Sequence, residues 1–451
     1  GNGGGSTVAA YQIDCGLDTQ VGGTGWGAGT WGRSTWGSSF GLGVSTKLAL
    51  WNQDNFGEDL LFNLRDGAIY YWDRSGGVAA RAVNLVDVAG ANNAPTIAKQ
   101  VMVSDNSRHV IAFGTNTIGT AVQDPLLIRF SSSESLTDWS PTPTNSAGDL
   151  RIGSGSTFIT AIETKREIVI FTDSTLHSMQ FLGAPFSFGI QPLSTGITIM
   201  GPNAAVAVED AVFWMGQDSF YLYEGGTKQL PCMVKEKVFF DFDYGQKDKV
   251  YAAHNAEFSE VTWFYCSNSN SLANNGTGQN NFYVTYNYAE SVWYYGTIAR
   301  TAFIDRGTFQ YPIGAQDGYL YSHEVGYDDD GSAMAASIEA SPIDIGEGER
   351  FVFINKIIPD ITFQGSTGGT PSASMTLSMQ DYPGSSYGQA ETDTVTSSAI
   401  STTTVPFEQF TTKADIRLRG RSFAFKIGST ALGVRWRLGS PRIQLRQDGR
   451  R

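Results

Sequence analysis

The sequence has few charged residues, few cysteines and no long apolar run. Charged residues make up 17% of the 451 positions, below the quarter that is usual in soluble globular domains. No uninterrupted apolar run reaches the about 18 residues of a membrane-spanning helix, so no transmembrane helix is expected. The stretch from Gly1 to Thr7 is polar and has no basic start, which is unlike a secretory signal peptide.

Metal and disulfide chemistry have little support in the sequence. The three cysteines, Cys15, Cys232 and Cys266, are too few and too scattered for a disulfide framework or a zinc site. An odd count of thiols is typical of a protein assembled in a reducing cytoplasm. The four histidines stand far apart and in no metal-binding spacing, so we expect ordinary strand or loop positions for them and no cofactor.

Catalytic motifs are also missing. The stretch Gly153-Ser154-Gly155-Ser156 lacks the spacing of a nucleophile elbow, and no Walker-type phosphate loop occurs. Glycoside hydrolysis needs two opposed carboxylates, which sequence alone cannot pair, so that activity stays open without support. The three carboxylates Asp328–Asp330 beside Gly331 could attract calcium, but they lack the spacing and closing Glu of a calcium loop. We therefore favour a solvated turn there and predict a protein that is not an enzyme.

Glycine and aromatic residues are abundant instead. The chain has 52 glycines and 12% aromatic residues. Together with many Ser and Thr, this composition describes short strands joined by tight turns, and it predicts an all-β fold.

Hairpin patterns recur along the first three quarters of the chain. The clearest runs from Leu60 to Trp72 around Asp66-Gly67, a pair that suits a tight primed turn. Comparable pairs of strands begin near residues 109, 167, 211, 261 and 311. A period of about fifty residues is the length of a four-stranded propeller blade. Residues 46–340 are thus predicted to form a six-bladed β-propeller, with two packed sandwiches as the alternative.

The two ends differ from this repeat. Residues 341–451 are predicted to form a small β-sandwich-like platform domain with a basic end. Residues 1–45 form a Gly-rich segment in which Trp26, Trp31 and Trp36 recur at steps of five. These indoles suit an aromatic platform for bases or sugars. We favour a loop pinned into a groove, in a platform or a subunit contact.

Positive charge is concentrated near the C-terminus. From Lys413 to Arg451 there are eleven Lys or Arg and two Asp, a local net charge of +9. Subtracting it from the total of −13 leaves −22 for the rest. The basic residues include two alternating sets, listed here: Arg417, Arg419, Arg421; Arg435, Arg437. Period two places each set on one face of a strand. Such arginines suit DNA phosphates, but we favour a subunit or adaptor interface.

Several phrases resemble one family of phage proteins. The closing run from Leu418 to Ile443, with its Arg435-Trp436-Arg437-Leu438-Gly439-Ser440-Pro441 core and the ending Asp448-Gly449-Arg450-Arg451, is similar to the C-terminus of that family. Gly25 to Gly37, Leu50 to Leu60 and Arg129 to Trp139 resemble it as well. The family is the tail nozzle of short-tailed bacteriophages, also called tail tubular protein B or packaged-DNA stabilisation protein.

The resemblance implies a structural role in the virion tail. It implies a propeller subunit, a homo-oligomeric ring of six at the distal end of the tail tube, and a channel that retains and then releases double-stranded DNA. It further implies binding to a tail adaptor and to fibres or spikes, contact with the host surface at infection, and assembly in the bacterial host cytoplasm. Two alternatives stay open: a glycan-binding or glycan-hydrolysing propeller appendage of a tail, and a secreted adhesin.

Overall fold

The computed structural model describes residues 48–184, 186–344, 348–381 and 402–449. The chain divides into two compact units between His323 and Glu324. Strands are the main regular elements of both units and helices are few among the described residues, so the all-β prediction is confirmed.

The N-terminal unit is a series of antiparallel sheets that follow one another along the chain. The first sheet has the strands β1 (Trp51–Phe56), β2 (Asp59–Leu64), β3 (Ile69–Trp72) and β4 (Val83–Asn84). The second has β5 (Gln100–Val103), β6 (Val110–Phe113), β7 (Leu127–Phe130) and β8 (Gly148–Arg151). The third has β9 (Phe158–Glu163), β10 (Ile168–Thr172), β11 (Thr175–Phe181) and β12 (Phe188–Thr195).

Three further sheets complete this unit. The fourth has β13 (Ala205–Val208), β14 (Ala211–Met215), β15 (Phe220–Tyr223) and β16 (Thr227–Leu230). The fifth has β17 (Tyr251–Asn255), β18 (Glu260–Tyr265), β19 (Phe282–Asn287) and β20 (Val292–Gly296). The sixth has β21 (Ala302–Ile304), β22 (Ile313–Gln316) and β23 (Tyr319–Ser322). Each is an up-and-down meander, the arrangement of a propeller blade. The closure of six such blades into one propeller stays a prediction.

The hairpins read from the sequence are the second and third strands of these sheets. Asp317 and Gly318 form the turn of one of them, with φ of 49° and 82°, the left-handed conformation that a tight primed turn requires. Asp66 also has a positive φ, 59°, but it lies in a longer loop between the paired residues Asn63 and Ile69. The first strand of each sheet has a weaker signal in the sequence. β13, for example, reads Ala-Val-Ala-Val, with both ends buried, and follows no turn signal of the Asp-Gly type.

Neighbouring sheets share one core. Buried Trp214 and Trp263 lie in a single apolar cluster that extends from the third sheet to the fifth. The indole Nε1 of Trp263 in β18 donates a 3.0 Å hydrogen bond to the carbonyl of Ala204, next to β13. Packing of one sheet on the next therefore buries the apolar faces that single hairpins would leave in water.

The one α-helix in the described parts of the chain is short. It is α1 (Lys235–Phe240), which the sequence pattern did not predict, because six residues cannot show a helical period. No helix among the described residues is long and apolar enough to span a membrane.

The C-terminal unit is a two-layered β-structure. Its strands begin with a small hairpin, β24 (Asp328–Asp329) and β25 (Ser332–Ala333), and continue as follows: β26 (Ala336–Glu339), β27 (Ile343–Asp344), β28 (Val352–Ile358), β29 (Ile361–Thr362), β30 (Ser372–Gln380), β31 (Thr402–Glu408), β32 (Ala414–Gly420), β33 (Ser422–Ser429), β34 (Arg437–Leu438), β35 (Arg442–Gln447). One sheet has the order β26-β33-β30-β31, with β27 also on β33, and another has the order β32-β28-β35. Residues of both sheets share one core around Ile354, Met375 and Leu418, as in a β-sandwich.

The boundary between the units differs from the one predicted at 340. Strand β26 pairs with β33 in the register Ala336↔Ser429, so residues before 340 already belong to the C-terminal unit. The long-range pairing decides this, and no composition change marks it. The predicted N-terminal segment 1–45 lies outside the described residues.

Candidate interaction surface on the C-terminal unit

Strand β32 presents its arginines on one exposed face. Along Ala414–Gly420 buried and exposed residues alternate without a break. Ile416 and Leu418 are buried in the core, while Arg417 and Arg419 are exposed. The period-two pattern thus has the geometry that was expected of it.

The sheet register adds basic residues from two other strands. Phe353 of β28 lies opposite both Arg419 and Arg446. Lys356 and Arg442 project from the same side of the sheet as Phe353. The bulge after Ile354 shifts the register, so that Lys356 lies opposite Asp415 and Gln444 on this side. We call the resulting surface the basic face; its residues are Lys356, Arg417, Arg419, Arg442 and Arg446. Sequence reasoning missed Lys356, Arg442 and Arg446, because only the pairing of β28 with β32 and with β35 brings them to this face.

Two arginines at one end are held by contacts within the unit. The guanidinium of Arg419 lies 4.0 Å from the ring centroid of Phe351, and its Nε donates a 2.6 Å hydrogen bond to Asp448. The guanidinium of Arg421 lies 4.9 Å from the centroid of the same ring. These cation–π and ionic contacts fix both side chains in place.

The other arginines keep their charge unpaired. No ion pair joins Arg417, Arg442 or Arg446 to any residue in the described part of the chain. The carboxylate of Asp415, which lies on the same face, pairs with Lys413 at 3.7 Å. The basic face therefore carries a surplus of exposed positive charge that can attract an acidic partner.

The second predicted arginine set lies elsewhere. Arg437 is in β34, which pairs with β29, not with the strands of the basic face. Arg435 donates a 3.2 Å hydrogen bond to the hydroxyl of Tyr327, and its backbone exchanges hydrogen bonds with the hydroxyl of Ser366. Arg435 thus stabilises a loop. The predicted residues Trp26, Trp31 and Trp36 lie outside the described residues.

The carboxylates Asp328–Asp330 lie in a hairpin. Asp328–Asp329 pairs with Ser332–Ala333, and Asp330 and Gly331 form the turn with φ of 46° and 80°. The carboxylate of Asp328 accepts a hydrogen bond from the backbone N–H of Gly433. No group of three or more His, Cys, Asp or Glu side chains suited to a metal occurs in the described ranges.

The N-terminal unit has a polar cavity of about 420 Å³. Its charged lining residues are three basic and three acidic side chains: Arg65, Lys99, Lys247; Asp66, Asp173, Asp248. Asp66 and Lys99 form a 3.0 Å ion pair. Burial alone would raise the pKa of Asp66, but the hydrogen bond and charge of Lys99 hold it below its usual value. Burial lowers the pKa of Arg65, against the charges of Asp66 and Asp248.

One serine and one histidine of this unit have the spacing of a nucleophile and its base. The hydroxyl of Ser154 lies 2.9 Å from Nε2 of His177, and burial lowers the pKa of His177. However, Nδ1 of His177 is buried without a hydrogen-bond partner in the described structure. The group that would orient a catalytic imidazole is therefore missing, and neither residue lines the cavity.

Comparisons with known proteins identify no family. No family model matches the chain, and no curated protein does. Among solved structures, it is similar to the extracellular domain of a one-component system of B. thetaiotaomicron, with a TM-score of 0.37 at 9% identity over 61% of this chain and 32% of that one. The chain thus spans about a third of that protein's length.

Two further solved structures are similar at the same level. One is a fungal alcohol oxidase, with a TM-score of 0.39 at 9% identity over 88% of this chain and 84% of that one. The other is a Synechocystis apocarotenoid oxygenase, with a TM-score of 0.33 at 7% identity over 61% of this chain and 66% of that one. Such low scores carry neither activity nor partners to this chain.

Proposed function

We propose that the chain is a structural subunit of a bacteriophage tail and assembles into a ring through its basic face. The observation that carries the proposal is the exposed, unpaired charge of Arg417, Arg442 and Arg446 on one sheet of the C-terminal unit. A contact surface of this kind needs no catalytic group. The resemblance of the closing residues to tail nozzle proteins supports the same role.

The acidic part of a second copy of the chain is complementary in charge to the basic face. The part of the chain before Lys413 has a net charge of −22, so a second copy offers abundant acidic surface. Complementary charge speeds encounter and sets orientation more than it adds affinity. An adaptor protein of the tail with an acidic docking surface, or a fibre or spike, would be recognised by the same chemistry.

The negative charge also suits a DNA conduit. Duplex DNA carries one negative charge per ~1.7 Å of its axis, so an acidic wall repels it and lets it slide. In this proposal the acidic part of the ring lines the channel, and the basic face makes protein contacts outside it. The ring is a hexamer in the nozzle family that the sequence resembles.

Charge reversal tests the role of the basic face. The variant Arg417→Glu/Arg446→Glu removes two arginines that have no ion pair within the described part of the chain, and so it should leave the fold intact. Lys228→Glu/Lys237→Glu makes the same charge change on the N-terminal unit, where both lysines are exposed. We expect the first variant to lose the ring while the second keeps it, as measured by light scattering. Rings in both variants would overturn the proposal.

A second candidate function is glycan binding at the cavity of the N-terminal unit. It is favoured by the carboxylates Asp66, Asp173 and Asp248, which line one cavity together with amide and ammonium donors. Sugar hydroxyls are bound by such mixed polar groups. An array of bacterial surface glycans, probed with the whole chain and with Asp173→Asn, tests it. Binding that the substitution abolishes would support this function over the structural one.

A further inference from the structure

Strand β35 is a free edge of the sheet that carries the basic face. Among the described residues it pairs with β28 alone, whereas β28 lies between β35 and β32. An edge strand of this kind can take up an extended segment of another protein as an additional strand. The chemistry of that segment follows from what the backbone and the two faces of β35 offer.

The core side of β35 is incompletely covered. Leu418, Ile354 and Leu445 form one row across the three strands of this sheet. Leu418 and Ile354 are 1% and 0% exposed, but Leu445 is 43% exposed. Strand β32 is the other edge of the same sheet and is buried on this side, so the edge position alone does not explain the difference. A strand beside β35 with an apolar side chain at this place would bury Leu445.

The backbone of β35 has unpaired groups on its free side. Asp448, directly after the strand, donates its N–H to the carbonyl of Phe351 on the β28 side. Because the direction of N–H groups alternates along a strand, the N–H groups of Ile443, Leu445 and Gln447 point away from β28. No described residue accepts a hydrogen bond from these three groups. An added strand would provide the acceptors.

The outer side of β35 determines which charge the partner carries. Arg442, Gln444 and Arg446 are exposed there, on the basic face. Neither arginine has an ion pair within the described part of the chain. Residues directly opposite each other on neighbouring strands have Cβ atoms about 4.5–5.5 Å apart. Acidic residues opposite the two arginines would therefore neutralise both charges.

We propose that β35 binds an extended segment of a partner protein with the alternating pattern acidic, apolar, polar, apolar, acidic. Its two acidic residues lie opposite Arg442 and Arg446 on the basic face. Its apolar residues lie opposite Ile443 and Leu445 on the core side, and its central polar residue lies opposite Gln444. The inference rests on the proposed role of the basic face as a contact surface, and it specifies the conformation and the chemistry of the acidic partner.

A synthetic peptide with this pattern, acetyl-Thr-Glu-Val-Thr-Val-Glu-Thr-amide, tests the proposal. Its binding to the purified whole chain is measured by fluorescence anisotropy at low ionic strength, at a dilution at which light scattering reports monomers. The control, acetyl-Thr-Val-Glu-Glu-Val-Thr-Thr-amide, has the same composition without the alternation. We expect the first peptide to bind at least tenfold more tightly than the control. Equal affinities would overturn the proposal, since charge alone would then explain the attraction, and so would a lack of binding by both peptides.

Methylation of the peptide backbone separates strand pairing from side-chain contacts. In antiparallel pairing, the arrangement that β35 has with β28, the N–H groups of the two Val residues face β35 and those of the two Glu residues face solvent. We expect N-methylation of both Val residues to weaken binding at least tenfold and N-methylation of both Glu residues to leave it nearly unchanged. Equal binding of the two methylated peptides would contradict the pairing.

Charge reversal on the protein tests the position of the site. Arg442→Glu/Arg446→Glu should weaken binding of the first peptide at least tenfold. Lys228→Glu/Lys237→Glu, the same charge change at two exposed lysines of the N-terminal unit, should leave it unchanged. Equal effects of the two variants would contradict a site on β35. The comparison of peptides on the unmodified chain gives a result even if a variant fails to fold.

The strand inference and the proposed ring can fail separately. If Arg417→Glu/Arg446→Glu abolishes the ring but the alternating peptide binds no better than its control, the strand inference is wrong and the contact role of the basic face stands. If the peptide binds as expected but the chain never forms rings, the proposed ring is wrong and the strand inference stands.

Discussion

The side chain of Gln100 in β5 forms two hydrogen bonds with the backbone of Ala161 in β9, as a neighbouring strand would. Its side-chain amide donates a 2.8 Å hydrogen bond to the carbonyl of Ala161 and accepts one of 2.9 Å from the N–H of the same residue. The two residues belong to different sheets. A buried side chain thus joins the second sheet to the third at a place where no backbone pairing does.

Replacing Gln100 should therefore destabilise the N-terminal unit. Gln100→Leu leaves two buried backbone groups of Ala161 without partners, each costing about 1–3 kcal/mol. We expect the free energy of unfolding in urea to fall by about 2 kcal/mol or more. The exposed Gln180 also has a side-chain hydrogen bond, to Glu167, so Gln180→Leu is a matched control that should change stability by less than about 0.5 kcal/mol.

Trp263 and Trp293 offer a second matched pair. Both indoles donate to a backbone carbonyl, at 3.0 Å and 2.8 Å, but the bond of Trp263 is buried and that of Trp293 is exposed. Trp263→Phe should lower the free energy of unfolding by about 1–3 kcal/mol, because Ala204 loses its partner away from water. Trp293→Phe should cost less, because water can replace the indole N–H. Equal losses in the two variants would contradict this account.

Glu163 should make stability fall as the pH rises. Burial, together with the charges of Asp105 and Asp54, raises its pKa to about 7, against hydrogen bonds from Ser104 and Asp105 that lower it. The folded chain thus binds the proton more tightly than the unfolded chain does. The stabilising effect is complete below the unfolded pKa and is lost as the pH rises through about 7.

Glu163→Gln isolates this effect. The amide can keep the acceptor oxygen that Ser104 and Asp105 contact, but it does not titrate. We expect the loss of stability between about pH 4.5 and 7 to be smaller in the variant, measured by urea unfolding at a series of pH values. Identical pH profiles for the two proteins would rule out the role of Glu163.

Arg417 and Arg419 lie on the same strand face but should differ in their effect on stability. Arg419→Ala removes an ion pair and a cation–π contact, both partly exposed, so we expect a loss of about 1 kcal/mol. Arg417→Ala removes no hydrogen bond, ion pair or ring contact within the described structure and should be close to neutral. Thermal unfolding at low ionic strength and at a protein concentration low enough to keep the chain monomeric measures the difference, since high salt would screen the exposed ion pair itself. A larger loss for Arg417→Ala would show that this side chain has a structural role.

Local signals decided how much of the fold could be predicted. The hairpins around Asp66-Gly67 and Asp317-Gly318 are where the sequence placed them, although only Asp317-Gly318 forms a tight two-residue turn. Strand β13, made only of Ala and Val, has no such signal. The pairing of β26 with β33 joins residues some ninety positions apart, so no local pattern could place the unit boundary.

Local sequence patterns could also predict only part of the basic face. Alternation within β32 was enough to place Arg417 and Arg419 on one face. Lys356, Arg442 and Arg446 could not be added, because their position depends on the register of β28 with its bulge after Ile354. The hydrogen bond from Arg435 to Tyr327 could not be predicted from the alternation of Arg435 with Arg437 either, because Arg435 and Tyr327 are about a hundred positions apart.

The mass and shape of the purified chain test the central proposal most directly. Light scattering at low ionic strength, combined with negative-stain images, measures both. We predict closed rings of six subunits with a central opening of roughly 20 Å or more, wide enough for B-form DNA. A chain that stays monomeric at all concentrations, or that forms a compact trimer with no opening, would contradict the structural role.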